Sequence, residues 1–298
     1  MAITAGQVKE LREKTGVGMM ECKKALEESA GDLDKAIVWL REHGMARAQK
    51  KADRAAAEGV VEVQISADHA AGVLVELNCE TDFSSKNADF RKLATEIAKL
   101  ALQSKATTVD ELLPAKIDGR TVQEHLTELI QKVGENMQLR RVAVVTAANG
   151  VVAGYSHMGG RIGTLVALEG ATGSDVQELG KDLAMQVAAS APRYLNESQV
   201  SQAELEQERE IARKKLEEEG KPADLIDKIL TGQMKKFYKE VCLVDQPFIK
   251  DPNLTVQKHV DTAKKGLKIA GFARYGLGEG IEKKQEDFAA EVAKQMKK

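Results

Sequence analysis

The sequence predicts an α+β fold, and three patterns carry that prediction. Apolar residues recur at helical spacing through the first 44 residues, interrupted by glycines. A strand–loop–helix unit occurs twice, once after Gly72-Val-Leu-Val-Glu-Leu77 and once after Gly163-Thr-Leu-Val-Ala-Leu168. Residues 267–275 alternate as a strand does, after a long charged helical excursion. The expected architecture is an N-terminal three-helix domain, a core of two related antiparallel-sheet α+β subdomains, an inserted helical hairpin and a C-terminal amphipathic helix.

In chain order, Thr4 is placed to cap a first helix that turns Val8 and Leu11 inward. Thr15-Gly-Val-Gly18 stops it, because two glycines in three residues break a helix. Met19, Cys22 and Leu26 give a second helix its stripe. Gly31-Asp32 ends that helix and caps a third, which carries Leu33, Ile37 and Leu40. Met19 and Met20 read first as core filling and second as a recognition loop. This module resembles a ubiquitin-associated-type three-helix domain, with residues 45–58 as a linker or an extension of the third helix.

Each copy of the repeat has its own helix stripe: Phe90, Leu93, Ile97 and Leu100 in the first, and Val176, Leu179, Leu183 and Val187 in the second. Strand candidates precede both: Val60–Ile65 in the first, and Val142–Thr146 and Val151–Tyr155 in the second. Residues 196–241 are dominated by Glu, Lys, Gln and Arg, and the break at Gly220-Lys-Pro222 makes them a helical hairpin with a solvated charged face. Phe288, Val292 and Met296 mark the terminal helix, which either docks on the core or meets a partner. The expected boundaries are 1–55, 56–141, 142–195 with 242–276, 196–241 and 277–298.

Composition excludes several classes of function. With 44 basic and 46 acidic residues the net charge is −2, so a general nucleic-acid footprint is absent. No apolar run reaches the ~18 residues needed to span a bilayer. No export signal opens the chain, and three scattered cysteines without a CxxC point to reduced thiols in the cytoplasm. No HExxH, GxSxG or phosphate-binding P-loop is present, and the histidines are scattered. These features predict a binding protein without metal or cofactor, not an enzyme.

One segment stands out. Between the first repeat strand and its helix lies Asn78-Cys-Glu-Thr-Asp-Phe-Ser84, where the second copy has only Gly170-Ala-Thr-Gly-Ser-Asp175. Only 4% of residues are aromatic, and exposing a phenyl ring forgoes roughly 1.5–3 kcal/mol. Phe83 therefore either folds back into its own core or is held out for a partner's. Asp82 is either a helix cap or part of the same contact, and Cys79 reads as a buried thiol at a strand end.

Three segments together resemble the bacterial elongation factor Ts family. They are Leu11-Arg-Glu-Lys-Thr-Gly-Val-Gly-Met-Met-Glu-Cys-Lys-Lys-Ala-Leu26, Glu76-Leu-Asn-Cys-Glu-Thr-Asp-Phe83, and Gln246-Pro-Phe248 with Gly278-Glu-Gly280 and the final helix. The similarity spans essentially the whole chain in order. It implies a guanine-nucleotide exchange factor that binds elongation factor Tu carrying GDP, displaces magnesium and promotes GDP release. The family's magnesium-dislodging Thr-Asp-Phe-Val segment falls on Thr81, Asp82, Phe83 and Ser84, with Ser departing from Val. The resemblance further implies partner contacts at Leu11, Arg12, Gly18, Met19, Met20 and His157. By residue chemistry alone, Arg12 is equally a solvated charge and His157 equally a satisfied loop histidine. The hairpin corresponds to a dimerisation or coiled-coil element, which leaves a homodimer or a 2:2 complex with the partner open.

Overall fold

A computed structural model describes residues 3–282. The predicted terminal helix with Phe288, Val292 and Met296 lies outside the described residues. The chain forms two compact units: Met1–Glu62, Val75–Val142 and Gly276–Lys298 in the first, Val63–Leu74 and Ala143–Tyr275 in the second. The fold is α+β, with one sheet ordered 58–65, 71–79, 137–146, a second ordered 268–276, 162–169, 150–157, and two short two-stranded ribbons.

The first unit begins with α1 (Ala5–Thr15), α2 (Met19–Glu28) and α3 (Leu33–Lys51). Thr4 caps α1 as expected: its hydroxyl accepts from the Gln7 amide while the Gln7 side chain accepts from the Thr4 amide. Gly16 ends the helix at φ 69°. Asp32 caps α3 by accepting from the Lys35 amide at 3.0 Å. Val8, Leu11, Val17, Cys22, Ala25, Leu26, Ala36 and Leu40 form the core of these helices. The predicted α2 stripe holds for Cys22 and Leu26 but not for its first member. Met19 and Met20 are 50% and 76% exposed, so they do not fill the core. Val17, carried inward by the glycine loop, occupies that end of the core instead. Helix α3 runs on to Lys51, which resolves residues 45–51 as helix extension.

Next come β1 (Glu58–Ile65), β2 (Ala71–Cys79), α4 (Asp82–Ser85), α5 (Ala88–Ser104), α6 (Val109–Leu112), β3 (Lys116–Ile117), β4 (Arg120–Thr121), α7 (Val122–Val133) and β5 (Met137–Thr146). Helix α5 buries Phe90, Leu93 and Ile97, three members of its predicted stripe. Helix α7 buries Val122, Leu126, Leu129 and Ile130, and Gln131 donates to the Leu40 carbonyl of α3 at 3.0 Å. The run at 142–146, expected as a strand of the second sheet, is the far end of β5 and pairs in the first sheet, beside β2, while Ala143–Tyr275 group in the second unit. Strand partners are chosen by non-local pairing, which a local apolar pattern does not specify.

One buried carboxylate organises the sheet face of this unit. Glu76 on β2 is 0% exposed and accepts from Arg140 Nη1 (3.0 Å), Arg141 Nε, Asn78 Nδ2 (3.1 Å) and the Gly278 amide (2.9 Å). Arg140 also donates to the Glu279 carbonyl, and Arg141 to the Gly276 carbonyl at 2.9 Å. The turn at 276–279 is thereby fastened to β2 and β5. Burial opposes ionisation of Glu76, but the Gly278 amide and the two guanidiniums outweigh it and hold the carboxyl below its ordinary range.

The second unit holds β6 (Gly150–His157), β7 (Ile162–Glu169), α8 (Ser174–Ser190), α9 (Gln202–Glu218), α10 (Ala223–Val241), β8 (Pro247–Phe248), β9 (Asp251–Thr255), α11 (Val256–Ala263) and β10 (Lys268–Gly276). Strands β6 and β7 pair antiparallel from Gly150 opposite Glu169 to His157 opposite Ile162. Val166, Leu168, Val176, Leu183, Val187, Leu243, Phe248 and Val260 share its main core. The hairpin α9–α10 has its own small core of Leu216, Ile226 and Leu230. At the hairpin's foot, buried Gln186 donates to Gln246 Oε1 (3.2 Å) and the Pro247 carbonyl (3.2 Å). Gln246 in turn donates to the carbonyls of Ser190 and Glu240.

The repeat runs deeper than the two matched strands. Gly59 on β1 faces the Leu77 carbonyl so closely that an added Cβ would lie 2.1 Å from it. Gly150 on β6 faces the Leu168 carbonyl with 1.8 Å. Leu77 and Leu168 are equivalent in the two matched strand segments, so both copies need glycine at the same place. Helices α5 and α8 have 17 residues each.

Candidate functional site

The strand–helix connection of the first copy is built from two successive caps. Strand β2 ends at Cys79, and Thr81, in extended conformation (φ −124°, ψ 157°), caps the single-turn helix α4 by accepting from the Ser84 amide at 3.3 Å. Asn87 then caps α5 by accepting from the Asp89 amide at 2.8 Å. Between the caps the chain makes one outward turn. Successive helical residues point about 100° apart, so one turn separates an outer from an inner side. Phe83 is on the outside, 81% exposed, and Ser84 on the inside, 6% exposed. The ring is therefore held out and not folded into its own core. Ser84 faces the protein's interior, so its hydroxyl is withdrawn from the tip. Asp82 is paired with Lys86 at 2.6 Å, and the Lys86 ammonium also lies 5.9 Å from the Phe83 ring centroid.

The root of this tip is tethered at Thr81. Its amide donates to Glu135 Oε2 at 3.0 Å and its hydroxyl to Glu135 Oε1 at 2.7 Å. Its carbonyl accepts from the Cys79 thiol at 3.1 Å. Burial, followed by the Glu135 charge, pushes the Cys79 thiol up to about 12, so it stays protonated and able to donate. The adjacent residue makes the reciprocal bond: Glu80 accepts from the Asn136 amide at 2.5 Å. The Asn136 side chain donates to the carbonyls of Ala52 (3.3 Å) and Arg54 (2.8 Å), and Arg54 stands 3.5 Å from Glu80. Of these residues only Cys79, Glu80 and Thr81 lie in the conspicuous sequence segment. Glu135 and Asn136 are some fifty residues away, and no local pattern connects them to the tip.

The remaining predicted contacts fall into two further groups. Arg12, Gly18, Met19 and Met20 are exposed on the glycine loop and adjoining helix ends of the three-helix module. Leu11 is 0% exposed and sits in the core beneath them, so its role there is packing. His157 belongs to the second unit, at the end of β6. It is exposed, its Nδ1 lies 3.0 Å from Tyr155 Oη, and the neighbouring Met158 is 69% exposed at φ 49°. Among the described residues no group of three or more His, Cys, Asp or Glu side chains is arranged to hold a metal ion. No helix among them is long and apolar enough to cross a membrane.

Residues 80–279 match the family model described as elongation factor TS. A protein of Magnetococcus marinus named elongation factor Ts is 50% identical over 301 residues, covering 99% of each chain. Proteins of the same name from Nitratiruptor sp. and Clostridium botulinum are each 49% identical. The first covers 100% of both chains, the second 99% of this chain and 100% of its own.

Proposed function

The chain belongs to the elongation factor Ts family, the nucleotide-exchange factors of translation elongation, and from that premise we propose that it acts on elongation factor Tu. It binds the GDP-loaded GTPase in the cytoplasm, displaces the magnesium ion held there and releases GDP so that GTP enters. The chain does no covalent chemistry of its own. The observation that carries this reading is a phenyl ring 81% exposed on a tip whose root is bonded on three sides.

A GTPase that holds GDP with nanomolar affinity has about −12 kcal/mol of binding free energy, so unaided release is slow. A factor that bound the loaded and empty states equally would shift nothing; it must favour the empty one. Accelerating release by ~10⁴ requires lowering the barrier by roughly 5.5 kcal/mol. Phe83 entering an apolar crevice of the partner supplies about 1.5–3 kcal/mol of that. Arg12, Gly18, Met19 and Met20 on the three-helix module, and His157 on the second unit, supply the rest as docking contacts. Thr81 and Asp82 orient the ring, and Ser84 anchors the tip from within.

The test is release of a fluorescent GDP from elongation factor Tu in excess magnesium. Addition of this chain is expected to accelerate the fluorescence decay in a saturable way. A decay rate independent of its concentration would refute the reading.

A further inference from the structure

We propose that Glu135 is a positioning residue for the Asp82–Phe83 tip, acting through Thr81; the proposal rests on the reading of that tip as the element that opens the partner's nucleotide site. Both Glu135 carboxylate oxygens are spent on one residue, the amide and the hydroxyl of Thr81. Thr81 is the cap of the helical turn that carries Phe83, so its orientation fixes the direction in which the ring projects. A bidentate carboxylate fixes both the position and the rotation of the group it holds, which a single bond does not.

Glu135 is itself held in place. It lies between Gly134, which ends α7 at φ 87°, and Asn136, whose amide is bonded to Glu80 and whose side chain is bonded to two carbonyls after α3. The two chain segments thus exchange carboxylates: Glu80 takes the amide after Glu135, and Glu135 takes the amide after Glu80. Such an exchange locks the two strand-end turns in one register. Without Glu135 the turn retains the Thr81–Ser84 and Cys79–Thr81 bonds, so it persists but is free to rotate. The backbone must then be ordered when the ring enters the partner, and that entropy is charged to the exchange step.

The experiment measures GDP release from elongation factor Tu across a range of factor concentrations, for the unmodified chain and for Glu135→Ala, Glu135→Gln, Phe83→Ala and the double variant. Glu135→Ala is expected to lower the maximal release rate about tenfold. The half-saturating concentration should change less, because docking elsewhere is intact. Glu135→Gln keeps one oxygen for the Thr81 amide and gains a donor for its hydroxyl, so it should recover most of the rate. The double variant should be no slower than Phe83→Ala alone, since the tether acts only through the ring.

If Glu135→Ala releases GDP at the unmodified rate while Phe83→Ala is slow, the positioning role is wrong and the exchange reading stands. Additive losses in the double variant also overturn it, because Glu135 would then act elsewhere. If the unmodified chain gives no acceleration, the functional reading itself falls. Should Glu135→Ala fail to fold, Thr81→Val and Thr81→Ser carry a related comparison: Val removes both the hydroxyl's bond to Glu135 and its cap on the Ser84 amide and must slow release, Ser keeps both and must not. Equal rates for those two would refute the tether.

Discussion

Replacing Phe83 by alanine separates a tool from a structural part. The ring is 81% exposed, so the free protein gains almost nothing from burying it. Among the described residues, the Lys86 ammonium lies 5.9 Å from the ring centroid. At an exposed site such an interaction contributes about 0.5–1 kcal/mol. For a domain of 150–250 residues, 1 kcal/mol shifts the melting temperature by about 2–4 °C, which bounds the loss of stability. In the complex the balance reverses. If the ring is fully buried in the partner at the transition state for release, truncation removes about 1.5–3 kcal/mol. That corresponds to a rate roughly ten to a hundred times lower. Stopped-flow release of fluorescent GDP and a thermal melt on the same preparation decide the matter. A variant that exchanges nucleotide normally but melts many degrees earlier would show that Phe83 is structural and refute the reasoning.

Three further expectations follow from the scaffold. Glu76→Ala strands Arg140 and Arg141 and should cost about 3 kcal/mol, read as a lower denaturant midpoint with an unchanged slope. Because the folded Glu76 carboxyl titrates below its ordinary value, its stabilisation is present above the unfolded value of about 4.3 and is lost as pH falls through the lowered one. The unmodified chain should therefore lose stability below pH ~4 more steeply than Glu76→Gln; parallel acid-melting curves would contradict this. Gly150→Ala forces a methyl to within 1.8 Å of the Leu168 carbonyl and should destabilise by about 1–3 kcal/mol. Gly271→Ala, with open space around it, should be close to neutral by the same melt. Burial holds the thiols of Cys79 at about 12 and Cys242 at about 11, and raises that of Cys22. Iodoacetamide at pH 8 should leave all three unlabelled in the native protein and label them on denaturation, read by mass spectrometry; rapid native labelling of Cys79 would remove the thiol donor from the tip's root.

What the sequence disclosed, and what it hid, divides by distance along the chain. Local chemistry was readable: the Thr4 cap, the break at Gly16, the Asp32 cap, the hairpin break at Gly220-Lys-Pro222 and the strand that became β10. The duplicated strand–helix unit was readable because its apolar spacing repeats. The sheet that 142–146 joins was not, because an apolar run fits either sheet and only its hydrogen-bonding partner decides. Helix α7 and the ribbon before it went unpredicted. Yet α7 buries Val122, Leu126, Leu129 and Ile130, a helical spacing open to the same reading as the others. Within the candidate site, an aromatic among turn formers was conspicuous, but the sequence left open whether it turns inward or outward, and its 81% exposure decides that. Its tether was not legible, since Glu135 stands 54 positions along the chain from Thr81. Met19 was misread because helical periodicity finds a stripe but does not tell where the core beneath it ends.

The two copies join strand to helix by connections of different length: eight residues from Glu80 to Asn87 against four from Gly170 to Gly173. In a flexible chain, doubling a loop costs only about 0.6 kcal/mol of closure entropy. Lengthening this connection therefore asks little of the fold, while any change within the strands or helices disturbs a packed core. Reach and rigidity are set separately here, reach by loop length and rigidity by the acid exchange at its root. Redesigning this protein for a partner with a deeper or shallower crevice would begin by changing the number of residues between the two caps, leaving both sheets untouched.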